Sequence, residues 1–299
     1  MLNLRGVIAP VVTTFGDRDE AVDLDAFATN LRAYAAAGLT GIVVCGSTGE
    51  AALLDEEERR SAIGRTRREV PSDMMVIAGT GAESTRQCVQ RCRVASEEGA
   101  DAVLVVAPHY YGSAMTPAAL EAHYRRVADE SPLPVLLYNI PKYMHFALEP
   151  DLVARLSTHE NIAGMKDSAG DLTKLAGYLQ SQGRAFTVLT GHGGTFHQAL
   201  ALGVRGGILA ISLFAAELTK DIYDSHESGD RDASADAQRA AAPLAAEIVG
   251  RMGVAGVKAA MDRVGLRGGR VRAPLLPLGA EDEARVDALL RDARVTAAA

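Results

Sequence analysis

The chain has 299 residues, 48% of them hydrophobic, and a formal net charge of −7. That length suits one large α/β barrel or two ordinary domains, with enough apolar content for a large core. The acidic balance argues against nucleic acid as the main partner, since phosphate binding needs clustered cations, and no apolar run approaches the roughly 18–20 residues of a membrane span.

Short β-rich apolar runs alternate with amphipathic segments along the chain. In order, the pattern predicts strands over Gly6–Thr13, Gly41–Cys45, Met74–Ala78, Ala102–Ala107, Val135–Asn139, Ile162–Lys166, Phe186–Thr190 and Gly207–Ile211. Between and after them it predicts helices over Leu24–Ala37, Asp55–Val70, Ser84–Glu98, Pro117–Glu130, Pro150–Leu156, Asp171–Gln182, Thr195–Leu202 and Ala215–Ser228. The strands are almost uniformly apolar and do not alternate, as parallel strands covered on both faces do. Several helices end in a "GA" or "GL" pair that leads into a strand, as in "AGLTGIVVC" and "EGADAVLVV", the usual chemistry of an αβ loop with a glycine C-cap. Eight such units in residues 1–228 match a (β/α)8 barrel. A doubly wound sheet is the runner-up, although it would carry a Gly-rich loop after its first strand, where this chain has "TTF".

Residues 229–299 contain no strand pattern. They read as helices Ser234–Val249, Val254–Val264 and Glu281–Ala297, with the break "GLRGGRVRAPLLPLG" between the last two. Nothing linker-like precedes them, so they are expected to be a C-terminal helical extension of the same unit. The arginines Arg65, Arg67 and Arg68 alternate with acids and are expected on a solvated helix face. Cys88 and Cys92 lie four apart on a helix with no second ligand pair, which favours reduced thiols over a zinc site. The opening "MLNLRGVIAP" lacks the apolar core of a secretion signal. A reducing cytoplasm is the expected location.

Barrel active sites form at the C-terminal ends of strands. The second strand ends in "CGSTGE", the fourth in "APHYYG", the fifth in "YNIP", the sixth in "MKDS" and the seventh in "TGHGG". Lys166 ends a run that reads as a buried strand. Lysine is seldom buried without a partner, and this chain has only 5 lysines against 26 arginines. Set among Ser47, Thr48, Tyr110, Tyr111 and Tyr138, it suits carbonyl chemistry: burial disfavours an ammonium group, and a free amine adds to a ketone to give an imine, an electron sink for carbanion chemistry. A tyrosine can move the protons involved. Plainer readings stand beside this one. Lys166 could snorkel, or pair with Asp167 or Asp171. "GSTGE" could be a bare turn with a cap, although its backbone N–H groups with Ser47 and Thr48 also suit a carboxylate. Tyr110 and Tyr111 could simply pack. "TGHGGT" could offer a helix N-terminus to phosphate. His109 and His192 have no acidic neighbour at ligand spacing, so no metal is expected.

Together "GSTGE" (46–50), "YNIP" (138–141) and "GMKDSAGD" (164–171) resemble the dihydrodipicolinate synthase / N-acetylneuraminate lyase family of class I pyruvate aldolases, over nearly the whole chain. The resemblance implies a (β/α)8 barrel with a helical extension, usually in a homotetramer built as a dimer of dimers. It implies an imine between Lys166 and pyruvate or another 2-oxo acid, with no metal and no other cofactor. It further implies that Tyr138 shuttles protons, that Ser47 and Thr48 hold the carboxylate, and that the Ile208 carbonyl faces the imine. Tyr110, or Tyr111 after it, would reach into a neighbouring subunit's site.

Departures from the family pattern narrow the choice of member. The synthase proper carries an arginine five residues after the motif tyrosine. Here that position is Tyr143, and Lys142 beside it is expected to point elsewhere. Sialic acid lyases carry acids after strand seven, where this chain has Gly191, His192, Gly193 and Gly194. The overall resemblance is greatest to 4-hydroxy-2-oxoglutarate aldolases, which share the look of "AGTGAEST", "NIAGMKDSAGD" and "GVAGVKAAMDRVGLRGGRVRAPL" and have a serine two after the lysine, here Ser168. The implied reaction joins or splits pyruvate and a small aldehyde. A 2-keto-3-deoxy sugar acid aldolase, a dehydratase, the synthase, a sialic acid lyase and a silent paralogue that only binds a 2-oxo acid are the alternatives.

Overall fold

In the computed structural model, which describes residues 2–16 and 20–296, eight parallel strands pair in chain order and the first also pairs with the last. They are β1 Gly6–Pro10, β2 Gly41–Val44, β3 Met75–Gly79, β4 Ala102–Val106, β5 Val135–Asn139, β6 Ile162–Asp167, β7 Thr187–Thr190 and β8 Gly206–Ile208. The helices are α1 Leu24–Ala36, α2 Glu56–Glu69, α3 Thr85–Glu97, α4 Pro117–Glu130, α5 Pro141–Met144, α6 Pro150–Leu156, α7 Leu172–Leu179, α8 Phe196–Leu202, α9 Ala216–Glu227, α10 Arg231–Pro243, α11 Gly253–Arg263 and α12 Ala280–Asp292. The expected (β/α)8 barrel is the observed one. Its strands are buried almost throughout, because side chains fill the interior while helices cover the outside.

Local chemistry sets the boundaries. Asp23, Asp55, Ser84, Thr116 and Asp171 each accept a backbone N–H of the helix that follows them, which satisfies donors that the helix leaves unpaired. Asp171 is thereby engaged and is not a partner of Lys166. Most strand bounds shift by a residue, and β1 and β8 each end three residues before the expected end. β1 ends at Pro10, after which Thr14 turns the chain by donating to the Asp23 carbonyl at 2.7 Å. β8 ends at Ile208, and a 3-10 turn over Ala210–Leu213 follows. The short helix α5 is absent from the sequence reading, and α7 stops at Leu179 rather than running to Gln182.

The extension departs most from expectation. α10 begins at Arg231, capped by Asp230. At Pro243 the regular ladder loses a donor, and a π-helical segment follows over Leu244–Arg251. At its end the Met252 amide donates to the Glu247 carbonyl, five residues back. α12 ends near Arg294, whose φ is 55°, and Ala297 lies outside the described residues. The extension is tied to the barrel by polar contacts. Asn30 and Arg267 exchange hydrogen bonds of 2.8 and 2.9 Å. Arg272 reaches the Glu58 carboxylate and the Leu53 carbonyl. Fully buried Lys258 forms an ion pair with fully buried Glu50 at 2.6 Å. Cys45, Cys88 and Cys92 are buried free thiols. No helix among the described residues is long and apolar enough to cross a membrane.

Candidate active site

β5 and β6 run side by side with Tyr138 opposite Lys166 and Asn139 opposite Asp167. Side chains alternate across a strand, so the two pairs face opposite ways. Tyr138 and Lys166 face a cavity of about 400 Å³ at the C-terminal mouth of the barrel. Lys166 Nζ donates to the Tyr138 hydroxyl at 3.3 Å and lies 4.4 Å from the ring centroid. Both residues are at most 5% exposed. Among the described residues no carboxylate meets this amine: Asp167 instead accepts from Asn139 Nδ2 at 2.7 Å. The reading of Lys166 as half of an ion pair with Asp167 or Asp171 is therefore overturned.

Behind the sheet, Asn139 is fully used. Its Nδ2 also donates to the Tyr178 hydroxyl at 3.3 Å, and its Oδ1 accepts from the Leu148 amide at 2.9 Å. Tyr178 in turn donates to the Leu148 carbonyl at 2.5 Å. Burial pushes the pKa of Asp167 up, opposed by the Asn139 bond. The motif residues Asn139 and Asp167, beside Tyr138 and Lys166, are thus structural, and nothing in their spacing alone reveals it.

Ser47 and Thr48 line the cavity from the turn after β2. That turn is built by the Gly49 amide donating to the Gly46 carbonyl and the Glu50 amide to the Ser47 carbonyl. Thr13 fastens it by donating to the Gly49 carbonyl at 2.7 Å. Glu50 takes a left-handed φ of 54°, and its buried carboxylate meets Lys258 and the Arg272 amide. "GSTGE" is therefore not a bare turn: its glutamate anchors it to the extension.

Ser168, Gly191, His192, Ile208 and Tyr143 also line the cavity. Gly191 lies where any Cβ would come within 2.6 Å of Lys166 Cε and would also strike the Ser168 hydroxyl. His192 Nδ1 is 3.0 Å from the Thr195 hydroxyl, and burial lowers the ring's pKa. Burial raises the pKa of Tyr143, and Tyr138 adds to the effect. The His197 amide at the start of α8 is bonded to Gln238 Oε1 at 2.9 Å, which takes one donor away from the phosphate reading of the β7 loop.

Tyr110 and Tyr111 do not line this cavity. They are 77% and 70% exposed and meet edge to face at 5.0 Å. Glu83 holds their loop by accepting the His109 and Tyr110 amides, and its carboxylate lies 3.3 Å from His109 Nδ1. His109 therefore does have an acidic neighbour, brought from the end of β3. A second correction concerns Lys142, which lines the cavity instead of pointing elsewhere. Its Nζ donates to the Gly250 carbonyl at 2.7 Å. Sequence reasoning also missed the wall built by the extension: Ala245, Ala246, Val249, Gly250, Val254 and Val257. No pattern in the sequence marks these small residues as cavity-lining.

The fold and cavity define a (β/α)8-barrel protein with a buried lysine–tyrosine pair at the face where such barrels carry their active sites. The model of the dihydrodipicolinate synthetase family matches residues 3–293, and the chain belongs to that family. It is 32% identical to a 4-hydroxy-tetrahydrodipicolinate synthase of Methanothrix thermoacetophila, over 94% of each chain. It is 37% identical to an uncharacterized DapA-like lyase of Halobacterium salinarum, over 97% of this chain and 94% of that one. Among solved structures, dihydrodipicolinate synthase DapA-2 from Bacillus anthracis superposes with a TM-score of 0.92 at 28% identity, covering 97% of this chain and 99% of that one. YagE, a prophage protein of the same family from E. coli K12 in complex with pyruvate, gives 0.92 at 27% identity, covering 98% and 100%.

Proposed function

We propose that this chain is a class I lyase that makes or breaks a C–C bond at C3 of pyruvate through an imine on Lys166. The observation that carries this reading is the 3.3 Å hydrogen bond from Lys166 Nζ to the Tyr138 hydroxyl inside a buried cavity. The amine adds to the C2 carbonyl of a 2-oxo acid, and water leaves as the imine forms. In the cleavage direction a base takes the proton of the 4-hydroxyl, the C3–C4 bond breaks, an aldehyde departs, and its bonding pair moves into the imine to give an enamine. Protonation at C3 and hydrolysis release pyruvate and free Lys166. Tyr138 is the group in reach of the nitrogen for these proton transfers, and Ser47 with Thr48 would hold the C1 carboxylate. The protonated imine supplies the electron sink, so the reading assigns no metal and no other cofactor.

The favoured substrate is 4-hydroxy-2-oxoglutarate or a similar short 4-hydroxy-2-oxo acid. Ser168 beside Lys166 and the carboxylate-free "GHGG" loop support it. The synthase reaction is the second reading, favoured by the names of several relatives and weakened by Tyr143 at the position of the expected arginine. The exposed pair Tyr110 and Tyr111 supports a homotetramer in which one of them completes a neighbour's site. Borohydride reduction with and without pyruvate, followed by peptide mass analysis, tests the mechanism. The expected result is a pyruvate-dependent adduct on Lys166, and the absence of any such adduct on a lysine refutes the imine.

A further inference from the structure

The charge of the cavity wall bears on which aldehyde it accepts. Among the described residues its lining includes two lysines, Lys142 and Lys166, and no carboxylate. His192 contributes no cation at neutral pH, since burial lowers its pKa. Lys166 is committed to the imine. Lys142 is the remaining cation. It stands at the start of α5, directly after β5, and its Nζ reaches across the lip of the cavity to the Gly250 carbonyl of the π-helical segment at 2.7 Å. The same nitrogen lies 5.7 Å from the Tyr143 ring centroid. A lysine has three N–H donors, so one bond to a neutral carbonyl leaves two donors and the whole charge unanswered. Lys174 and Lys258 both meet carboxylates, whereas Lys142 makes no ion pair among the described residues. The cradle of Ser47 and Thr48 follows β2, three strands away in the ring of eight. The two anion-seeking features therefore stand well apart around the mouth, with Lys166 of β6 in the same cavity.

We propose that Lys142 is a second anion-binding point of this cavity, so that the substrate is a dicarboxylate: its 2-oxo acid end lies in the Ser47 and Thr48 cradle, and the carboxylate of its aldehyde half meets Lys142. This rests on Lys166 as the imine-forming residue. The apolar side chains Val249, Val254 and Val257 on the extension side leave Lys142 as the specificity determinant at the far end.

Borohydride trapping tests the proposal without knowledge of the true aldehyde. The half-saturating concentration for trapping on Lys166 is measured for 2-oxoglutarate and for 2-oxopentanoate, which have the same chain length and differ in the second carboxylate. Pyruvate serves as the control. In the wild-type protein 2-oxoglutarate should trap at about 10- to 100-fold lower concentration, the fold-change carried by one hydrogen bond to a charged group. Lys142→Met should erase that preference and leave the pyruvate value within about twofold, and Lys142→Arg should retain most of it, since either cation serves a carboxylate. Pyruvate trapping with equal values for the two five-carbon acids, or with no trapping of 2-oxoglutarate, overturns the Lys142 proposal and leaves the imine reading standing. A preference that survives Lys142→Met overturns it as well. Failure to trap pyruvate itself overturns the imine reading, and the proposal falls with it.

Discussion

Asn139 donates to Asp167 across β5 and β6 at 2.7 Å, one register position beyond the opposed pair Tyr138 and Lys166. The outward pair thus holds the strands in the register that sets the inward pair face to face. Asp167→Ala leaves the buried Asn139 amide short of an acceptor, which should cost about 1–3 kcal/mol of stability. It should also lower kcat more than it weakens pyruvate binding, because the proposed carboxylate cradle of Ser47 and Thr48 lies in the turn after β2. Urea unfolding and steady-state kinetics read the two effects. Unchanged kcat in a destabilised variant would confine Asp167 to a structural role.

Tyr138→Phe isolates the hydroxyl at the other side of the same register. The ring is kept and only the atom 3.3 Å from Lys166 Nζ is removed. General acid–base groups contribute roughly 10²–10⁴-fold, so kcat should fall by about that range while pyruvate is still trapped on Lys166. An unchanged kcat removes Tyr138 from proton transfer.

Much of this was legible in the sequence, for a physical reason. Parallel strands buried on both faces read as uniform apolar runs, so all eight strands appear, and polar residues at their C-terminal ends mark the mouth. Ser47, Tyr138, Lys166, Ser168 and His192 all reached the cavity on that basis. Lys142, which also lines the cavity, was not placed there by the sequence, because its direction depends on α5, a single turn started by Pro141 that no periodicity announces. Nor was the wall of Ala245 to Val257, which exists because the ladder slips after Pro243. The partner of Glu50 is equally invisible, since Lys258 lies 208 positions away in the chain and meets it only through the folded extension.

Gly191 is a prediction of close approach. Adding a methyl group there brings Cβ within 2.6 Å of Lys166 Cε and into the Ser168 hydroxyl. Gly191→Ala should therefore displace the lysine chain from Tyr138 and reduce the rate of pyruvate-dependent borohydride trapping at least tenfold. Its melting temperature should change little, because flexible side chains and not backbone absorb the contact. Trapping at the wild-type rate would show that Lys166 has room to move.

The ion pair of Glu50 and Lys258 couples the cradle turn to α11. Burial lowers the pKa of Lys258 and Glu50 opposes that shift. Removing one partner strands the other charge in the interior, at about 3–5 kcal/mol. Lys258→Met should therefore destabilise strongly, and Glu50→Gln/Lys258→Met together should recover much of the loss. In the double variant the turn that carries Ser47 and Thr48 has lost its ionic anchor, so the KM for pyruvate should remain raised. Full recovery of KM together with stability would mean that the pair serves packing alone.

His123 supplies a pH dependence away from the site. It is 6% exposed, its Nδ1 lies 2.9 Å from the Thr85 hydroxyl, and burial pulls its pKa from 6.5 down to about 4. Between those values the unfolded chain binds a proton that the folded chain does not. Stability from this residue is therefore complete above pH 6.5 and is lost progressively as pH falls toward 4. At roughly 1.4 kcal/mol per pKa unit the loss is about 3 kcal/mol. Urea unfolding at pH 7, 5.5 and 4 should show that decline in the wild-type protein and a flatter one in His123→Gln, whose side chain has a similar reach and no charge to gain. Parallel profiles in the two proteins would assign the acid sensitivity to other groups.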